Sequence, residues 1–342
     1  MDTRGTKPTI EDLKKIIEKD GAKGWNMAKE ALLKQETDNP QLKQALAYLT
    51  LIPDYFRPAI VSYCCEAVGG DPEITVPTGA SLVLLAKAIG IHDDIIDDVK
   101  KRNKHTTAYG KFGKEIALIL SDILLFKGFT LMRKSLEIGV PPKILSKILE
   151  TIDKVWFEQS ESEILEHQFR TKINVLPEEC LVKIRKRASE LEAITRIGAI
   201  LGKATEKELE SMAFYGRSIG MISILRDELA DMLEFNTLRH RIKRESLPLP
   251  LVYALQKTGA KQKLVCLISQ RKIGKNDLVE TLKIVNIYHG MEYVAKLINE
   301  LVSLTCHSIS KFQSKKLGIL LNALRVDINE LNEYLTMSTN RI

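Results

Sequence analysis

Apolar residues along this chain recur at the three- and four-residue spacing of helices rather than at the strict alternation of strands. Within residues 10–34, Ile10, Leu13, Ile16 and Ile17 fall on one stripe, which predicts an amphipathic opening helix. Turn and terminator signals follow at Asn39-Pro40, Ile52-Pro53 and Gly69-Gly70-Asp71-Pro72, then at Gly139-Val140-Pro141-Pro142, Leu176-Pro177 and Leu247-Pro248-Leu249-Pro250. The segments between them are too long, and too apolar on one face, to be strands. The most apolar runs, residues 82–91 and 116–126, are too short to span a bilayer, and the second carries Asp122, so both read as buried core helices. No low-complexity linker or short-period repeat divides the chain. The expectation is an all-α fold: one large helical bundle over residues 1–342, with residues 1–40 as a peripheral N-terminal helical segment.

Composition strengthens the helical reading, because Gly and Pro together number only 30 of 342 residues. The net charge of +7 admits a phosphorylated ligand, a nucleic acid or an anionic membrane surface. Without interleaved aromatics or a nucleic-acid motif, no nucleic-acid partner is expected. The five cysteines are odd in number and lack Cys-x-x-Cys spacing, and Cys64 and Cys65 are adjacent. They point to reduced thiols in a cytoplasmic protein. Residues 1–20 are charged throughout and lack the apolar stretch of a secretory signal, so export is not expected. The basic surface is compatible with peripheral attachment to a membrane.

Candidate chemistry begins at His92-Asp93-Asp94-Ile95-Ile96-Asp97-Asp98, which continues the apolar run 82–91. On a helix Asp93 and Asp97 lie one turn apart on one face with Asp94 beside them, so their carboxylates can share cations. Such a cluster is costly unless something positive binds, and hard oxygen ligands suit Mg²⁺. The alternative is a solvated acidic helix end. A second set, Asp227-Glu228-Leu229-Ala230-Asp231, repeats the spacing, and two such sets on separate helices could face each other across a bundle cavity. Each is followed by a basic run, Lys100-Lys101-Arg102-Asn103-Lys104 and Arg239-His240-Arg241-Ile242-Lys243-Arg244, which suits diphosphate oxygens or is simply surface charge. His92 reads as a structural hydrogen-bonding residue, His167 and His240 as surface residues, and Trp25 and Trp156 as helix contacts.

Together these motifs resemble the trans-isoprenyl diphosphate synthases, or polyprenyl synthetases, over roughly residues 52–255. The likeness rests on Phe56-Arg57-Pro58, Gly69-Gly70-Asp71-Pro72, the first aspartate motif, Phe112-Gly113, Ser121-Asp122-Ile123-Leu124-Leu125, the 227–231 set and Ser246-Leu247-Pro248, in the expected order. It implies an isoprenoid-synthase bundle with a central cavity, in which three Mg²⁺ ions bridge the two aspartate motifs and an allylic isoprenoid diphosphate. It also implies a homodimer. By this resemblance Asp93, Asp94 and Asp97 ligate metal from one side and Asp227, Glu228 and Asp231 from the other, Glu228 standing where the family usually has Asp. Arg102, Arg187, Arg244 and Gln159 fall at positions that serve the allylic diphosphate. Ala88 and Ile89, at the family's cavity floor, imply room for a long chain.

The departures gather on the side that holds isopentenyl diphosphate in the family. The Gly-Lys-x-x-Arg-Pro box reads Pro53-Asp54-Tyr55-Phe56-Arg57-Pro58, the His or Gln position falls on Ala86, and the second paired arginine is Asn103. Only Arg57 survives. At about 1.5–3 kcal/mol for each charge-assisted hydrogen bond, such losses weaken a dianion site by orders of magnitude. Three readings follow: a chain-elongating prenyltransferase whose acceptor site is rebuilt by residues such as Lys87 or Lys104; an enzyme that ionises one allylic diphosphate and cyclises it, quenches it with water or transfers it to an acceptor without a diphosphate; and a non-catalytic subunit of a heteromeric synthase. Intact metal carboxylates argue against the third.

Overall fold

Seventeen α-helices and one minimal β-hairpin make up nearly all regular structure among the described residues 10–102, 105–312 and 314–331 of the computed structural model. Asn103 and Lys104 lie outside the described residues. The chain forms two units, one of Met1–Thr151, Ile194–Met212 and Phe312–Leu317, the other of Ile152–Ala193, Ala213–Lys311 and Gly318–Ile342.

The first unit carries α1 (Ile10–Leu33), α2 (Pro40–Leu49), α3 (Phe56–Ala67), α4 (Val76–Ile96), β1 (Lys101–Arg102), β2 (His105–Thr106), α5 (Ala108–Phe112), α6 (Lys114–Met132) and α7 (Lys134–Glu137). The punctuation residues do what their chemistry allows. Asn39 caps α2 by accepting the Leu42 N–H at 3.0 Å, with Pro40 in the first turn where no donor is missed. Asp71 starts a 3₁₀ turn, Pro72–Thr75, that leads into α4. In α1 the buried line runs through Leu13, Trp25, Ala28 and Leu32, while Ile16 is exposed, because the face that packs is set by the C-terminal half of the helix.

Helix α4 is longer than the apolar run 82–91 suggested, since Pro77 fits its first turn without breaking it. The stretch Pro72–Ile96 is long and apolar enough to cross a membrane by length and composition. Two thirds of its most apolar window is buried, and α4 packs on α1, α3 and α6. Val83, Leu84 and Ala88 meet Leu120 and Leu124 of α6 and Trp25, Ala28 and Leu32 of α1 in one core. Gly128 lets α6 approach closely, because a Cβ there would lie 2.7 Å from the Leu85 side chain.

The second unit draws on α8 (Pro142–Phe169), α9 (Pro177–Arg187), α10 (Ser189–Leu201), α11 (Glu206–Leu233), α12 (Phe235–Arg244), α13 (Leu249–Leu255), α14 (Thr258–Ile268), α15 (Lys275–Ile287), α16 (Gly290–Ile309) and α17 (Lys315–Asn322), of which α8, α10, α11 and α17 lie only partly within it. Helix α13 is its pivot, packing on α9, α14, α15 and α16. Gly290 starts α16 against the Pro250 carbonyl, where a Cβ would come within 2.3 Å of the oxygen. All five cysteines are free thiols, and Cys64, Cys65 and Cys180 are buried.

Candidate active site

The first acidic set occupies the end of α4. The helix closes with Asp98 at φ 55°, the Val99 N–H donating to the Asp94 carbonyl at 2.8 Å and the Asp98 N–H to the Ile95 carbonyl at 3.4 Å. This is a Schellman cap with Asp in the position glycine usually takes. It sets Asp93, Asp94 and Asp97 half-buried at the negative pole of the helix dipole, where carboxylates are disfavoured and a cation is welcome. Burial pushes the Asp94 carboxyl above its ordinary range, against the pull of Arg102. Arg102 donates to Asp94 Oδ1 from Nη2 at 2.9 Å and from Nε at 3.3 Å.

The β-hairpin that delivers Arg102 is tied down on several sides. Lys101 pairs with Thr106 and Arg102 with His105. Tyr48 Oη donates to the Thr106 carbonyl at 2.6 Å, the Thr107 hydroxyl to the Val99 carbonyl at 2.9 Å, and Tyr109 Oη to Asp98 at 2.7 Å. His92 Nε2 lies 3.0 Å from Ser121 Oγ, and that hydroxyl donates to the Ala88 carbonyl. His92 therefore locks α4 to α6.

The altered acceptor box sits at the start of α3. Asp54 accepts the Arg57 backbone N–H at 3.2 Å and its Nη1 at 2.6 Å, so the acid that replaces the box lysine binds the one surviving arginine. Lys87 Nζ donates to the Ile52 carbonyl at 2.9 Å and lies 5.2 Å over the Trp25 ring, which Tyr55 meets edge-on. Burial holds the Lys87 ammonium below its ordinary pKa, Asp54 opposing and Arg57 reinforcing the effect. The structure thus gathers Asp54, Arg57 and Lys87 at one place, with Ala86 beside Lys87 on α4.

In the second unit, Asp227, Glu228 and Asp231 lie on α11. Arg241 of α12 donates to Glu228 at 2.9 Å and to Asp231, and the second Glu228 oxygen accepts the Leu249 N–H at 2.5 Å. Burial pushes Asp231 up against Arg241, and Glu228 and Asp227 add to the push. Gln159 donates to the Arg187 carbonyl at 2.5 Å and to the Ser189 hydroxyl at 3.3 Å, and Arg187 lies 3.8 Å from Glu163. Arg244 is exposed at the end of α12. Arg217 joins Glu158 and Glu192 at 2.6 Å each. His240, expected at the surface, is half-buried with Nε2 3.2 Å from Glu245.

Two buried residues were missed from sequence. Lys183 donates to Glu166 at 2.5 Å and to Ser246 Oγ at 2.7 Å, deep in the second unit. Burial would push the Glu166 carboxyl up, but Lys183, Arg241 and the Ser246 N–H hold it at about 2. A signal existed for Lys183, which follows Cys180 by three positions on the buried face of α9, and for the inward turn of Arg241, which follows Leu238 by three on that of α12. A charge on an apolar stripe requires a buried partner.

Among the described residues no three His, Cys, Asp or Glu side chains are arranged as a preformed metal cage. Mg²⁺ does not need one, because it keeps several waters and takes one or two carboxylates plus phosphate oxygens. The donor chemistry at Asp93, Asp94 and Asp97 fits that demand: hard oxygens, partly desolvated, at a negative helix end. Glu228 and Asp231 fit it less well, being already engaged by a guanidinium.

The elements and motifs follow the all-α isoprenoid synthase plan. The chain belongs to the polyprenyl synthetase family, whose sequence profile matches residues 39–285. It is 28% identical over 244 residues to the short chain isoprenyl diphosphate synthase of Methanothermobacter thermautotrophicus, covering 69% of this chain and 74% of that one. It is 25% identical over 287 residues to the geranylgeranyl diphosphate synthase of Sulfolobus acidocaldarius, covering 81% and 86%. The crystal structure of geranylgeranyl pyrophosphate synthetase from Pyrococcus horikoshii superposes with a TM-score of 0.82 at 22% identity, covering 92% of this chain and 98% of that one.

Proposed function

We propose that this chain is a magnesium-dependent trans-prenyltransferase of isoprenoid biosynthesis that ionises an allylic isoprenoid diphosphate. The observation that carries the reading is the half-buried Asp93, Asp94 and Asp97 cluster at the negative end of α4, in a member of this family. These carboxylates would hold Mg²⁺, which when bound would supply Lewis-acid stabilisation of the departing diphosphate. Arg102, now on Asp94, is placed to trade that carboxylate for a diphosphate oxygen. The family resemblance assigns Gln159, Arg187 and Arg244 to the allylic diphosphate as well. The C–O bond breaks with its electron pair leaving on diphosphate, and the allylic carbon is left cationic.

The acceptor is isopentenyl diphosphate, whose double bond attacks that carbon and whose proton is then lost, lengthening the chain by one unit. Arg57 and Lys87 are its cationic contacts. A second reading is favoured by the Asp54–Arg57 pair, which withdraws one of those cations: transfer of the allylic group to an acceptor without a diphosphate, or its cyclisation or hydrolysis. The protein acts in the cytoplasm as a homodimer, or with a homologous synthase as a heteromer. An unpartnered apolar face on α6, with Leu118, Ile119, Phe126 and Phe129 exposed, supports the dimer.

Incubation with Mg²⁺ and farnesyl or geranylgeranyl diphosphate, with and without isopentenyl diphosphate, tests the proposal. Extension that requires isopentenyl diphosphate is expected. Diphosphate release without it would favour the second reading, and inactivity relieved only by a homologue would favour a subunit role.

A further inference from the structure

Two of the three carboxylates of the second acidic set, Glu228 and Asp231, already hold a cation, and it is the chain's own. Arg241 is 8% exposed and spends each arm of its guanidinium on a protein acceptor: Nη2 on Glu228, Nη1 on Asp231, and Nε on the Ser246 carbonyl and on Glu245, both at 3.1 Å. Both oxygens of Glu228 are taken, one by Arg241 and one by the Leu249 N–H. Glu228 is itself only 5% exposed. The same cluster continues into Glu166, which accepts the Ser246 N–H at 2.6 Å, the Ser246 hydroxyl at 2.7 Å and Lys183.

A divalent ion at Glu228 and Asp231 would have to displace this guanidinium. Arginine cannot shed its proton to leave as a neutral group. Expelled from its carboxylates, it would remain charged inside the unit, beside oxygens turned toward the metal, and breaking a buried pair in this way is strongly unfavourable. Mg²⁺ also asks for near-octahedral oxygen geometry and gives up water reluctantly. The competition favours the resident cation.

We propose that Arg241 takes the place of a divalent metal at Glu228 and Asp231, so that these two carboxylates fasten α12 and the 246–249 turn to α11 instead of ligating Mg²⁺. The proposal rests on the magnesium-dependent reading above and leaves Asp227 as the second set's carboxylate for an ion.

Mn²⁺ titration followed by electron paramagnetic resonance, on the full chain with a non-hydrolysable allylic thiodiphosphate, tests it. Wild type is expected to bind its ions without help from Glu228 or Asp231. Glu228→Gln and Asp231→Asn should keep the wild-type number and affinity within twofold while lowering the thermal midpoint. Arg241→Met should open the site, so that Mn²⁺ raises its thermal midpoint by more than it raises that of wild type. Loss of one ion, or a tenfold weaker one, in a folded Glu228→Gln or Asp231→Asn variant would overturn the assignment. Asp93→Asn separates the two readings: if it binds Mn²⁺ as wild type does, the magnesium site on α4 is wrong while the Arg241 assignment is still decided by the other variants.

Discussion

The Asp54 carboxylate accepts from both the backbone and the guanidinium of Arg57, and its side chain is only 11% exposed. A diphosphate at this place meets Arg57 already neutralised, whereas Lys87 is held by the neutral Ile52 carbonyl and the face of the Trp25 ring. Asp54→Lys removes the competitor and adds a cation. At about 1.5–3 kcal/mol for a charge-assisted hydrogen bond, the KM for isopentenyl diphosphate should fall at least tenfold, with the KM for the allylic substrate unchanged. Lys87→Met should raise the isopentenyl diphosphate KM by a similar factor, and Lys87→Arg should keep it near wild type. Steady-state kinetics with each substrate varied in turn decide the matter: a change confined to the allylic KM would move both residues to the other substrate. Asp93→Ala should abolish turnover altogether, and surviving activity would refute the metal role of α4.

At the scale of elements, the end of α4 depends on a hairpin that a single glycine allows to close. A Cβ on Gly110 would lie 2.2 Å from the Lys100 carbonyl oxygen, a backbone atom that cannot step aside without moving β1. Gly110→Ala should therefore destabilise the protein by about 1–3 kcal/mol in urea denaturation and weaken Mn²⁺ binding, because Arg102 and Asp94 shift with the strand. Equal Mn²⁺ affinity in a folded variant would uncouple hairpin and site. The carboxylates themselves were legible in the sequence, since helix geometry alone brings positions four apart onto one face. So were the helix starts at Asn39-Pro40 and Asp71-Pro72, where the cap is local. The partners of Glu166 and Glu228 were not, because Ser246 and Arg241 come to them across 80 and 13 residues, and only packing decides which of several arginines turns inward. The length of α4 was hidden for a related reason: Pro77 reads as a breaker until its place in the first turn is known.

For the whole molecule, the two tryptophans fall one to each unit, Trp25 buried in the first and Trp156 half-buried in the second, so each unit carries its own fluorescence reporter. The second unit contains Glu166, held at about 2 against an ordinary value of 4.5. A carboxyl depressed on folding contributes stability that is complete above its unfolded value and is lost as pH falls toward its folded one. That places the loss between about pH 4.5 and 2, and its full extent is about 3 kcal/mol. Asp231 in the same unit and Asp94 in the other have the opposite sign, since a raised carboxyl is relieved by protonation, and they favour the fold slightly as acid is added. Glu166 is the larger effect and lies in the second unit alone. Acid titration of Trp25→Phe, in which Trp156 reports, should therefore show unfolding at a higher pH than titration of Trp156→Phe, in which Trp25 reports. Adding Glu166→Gln to the first variant should lower its stability at pH 7 and flatten its pH dependence between 4.5 and 2. An unchanged acid slope there would mean that the Lys183–Glu166 pair does not govern the acid stability of this unit.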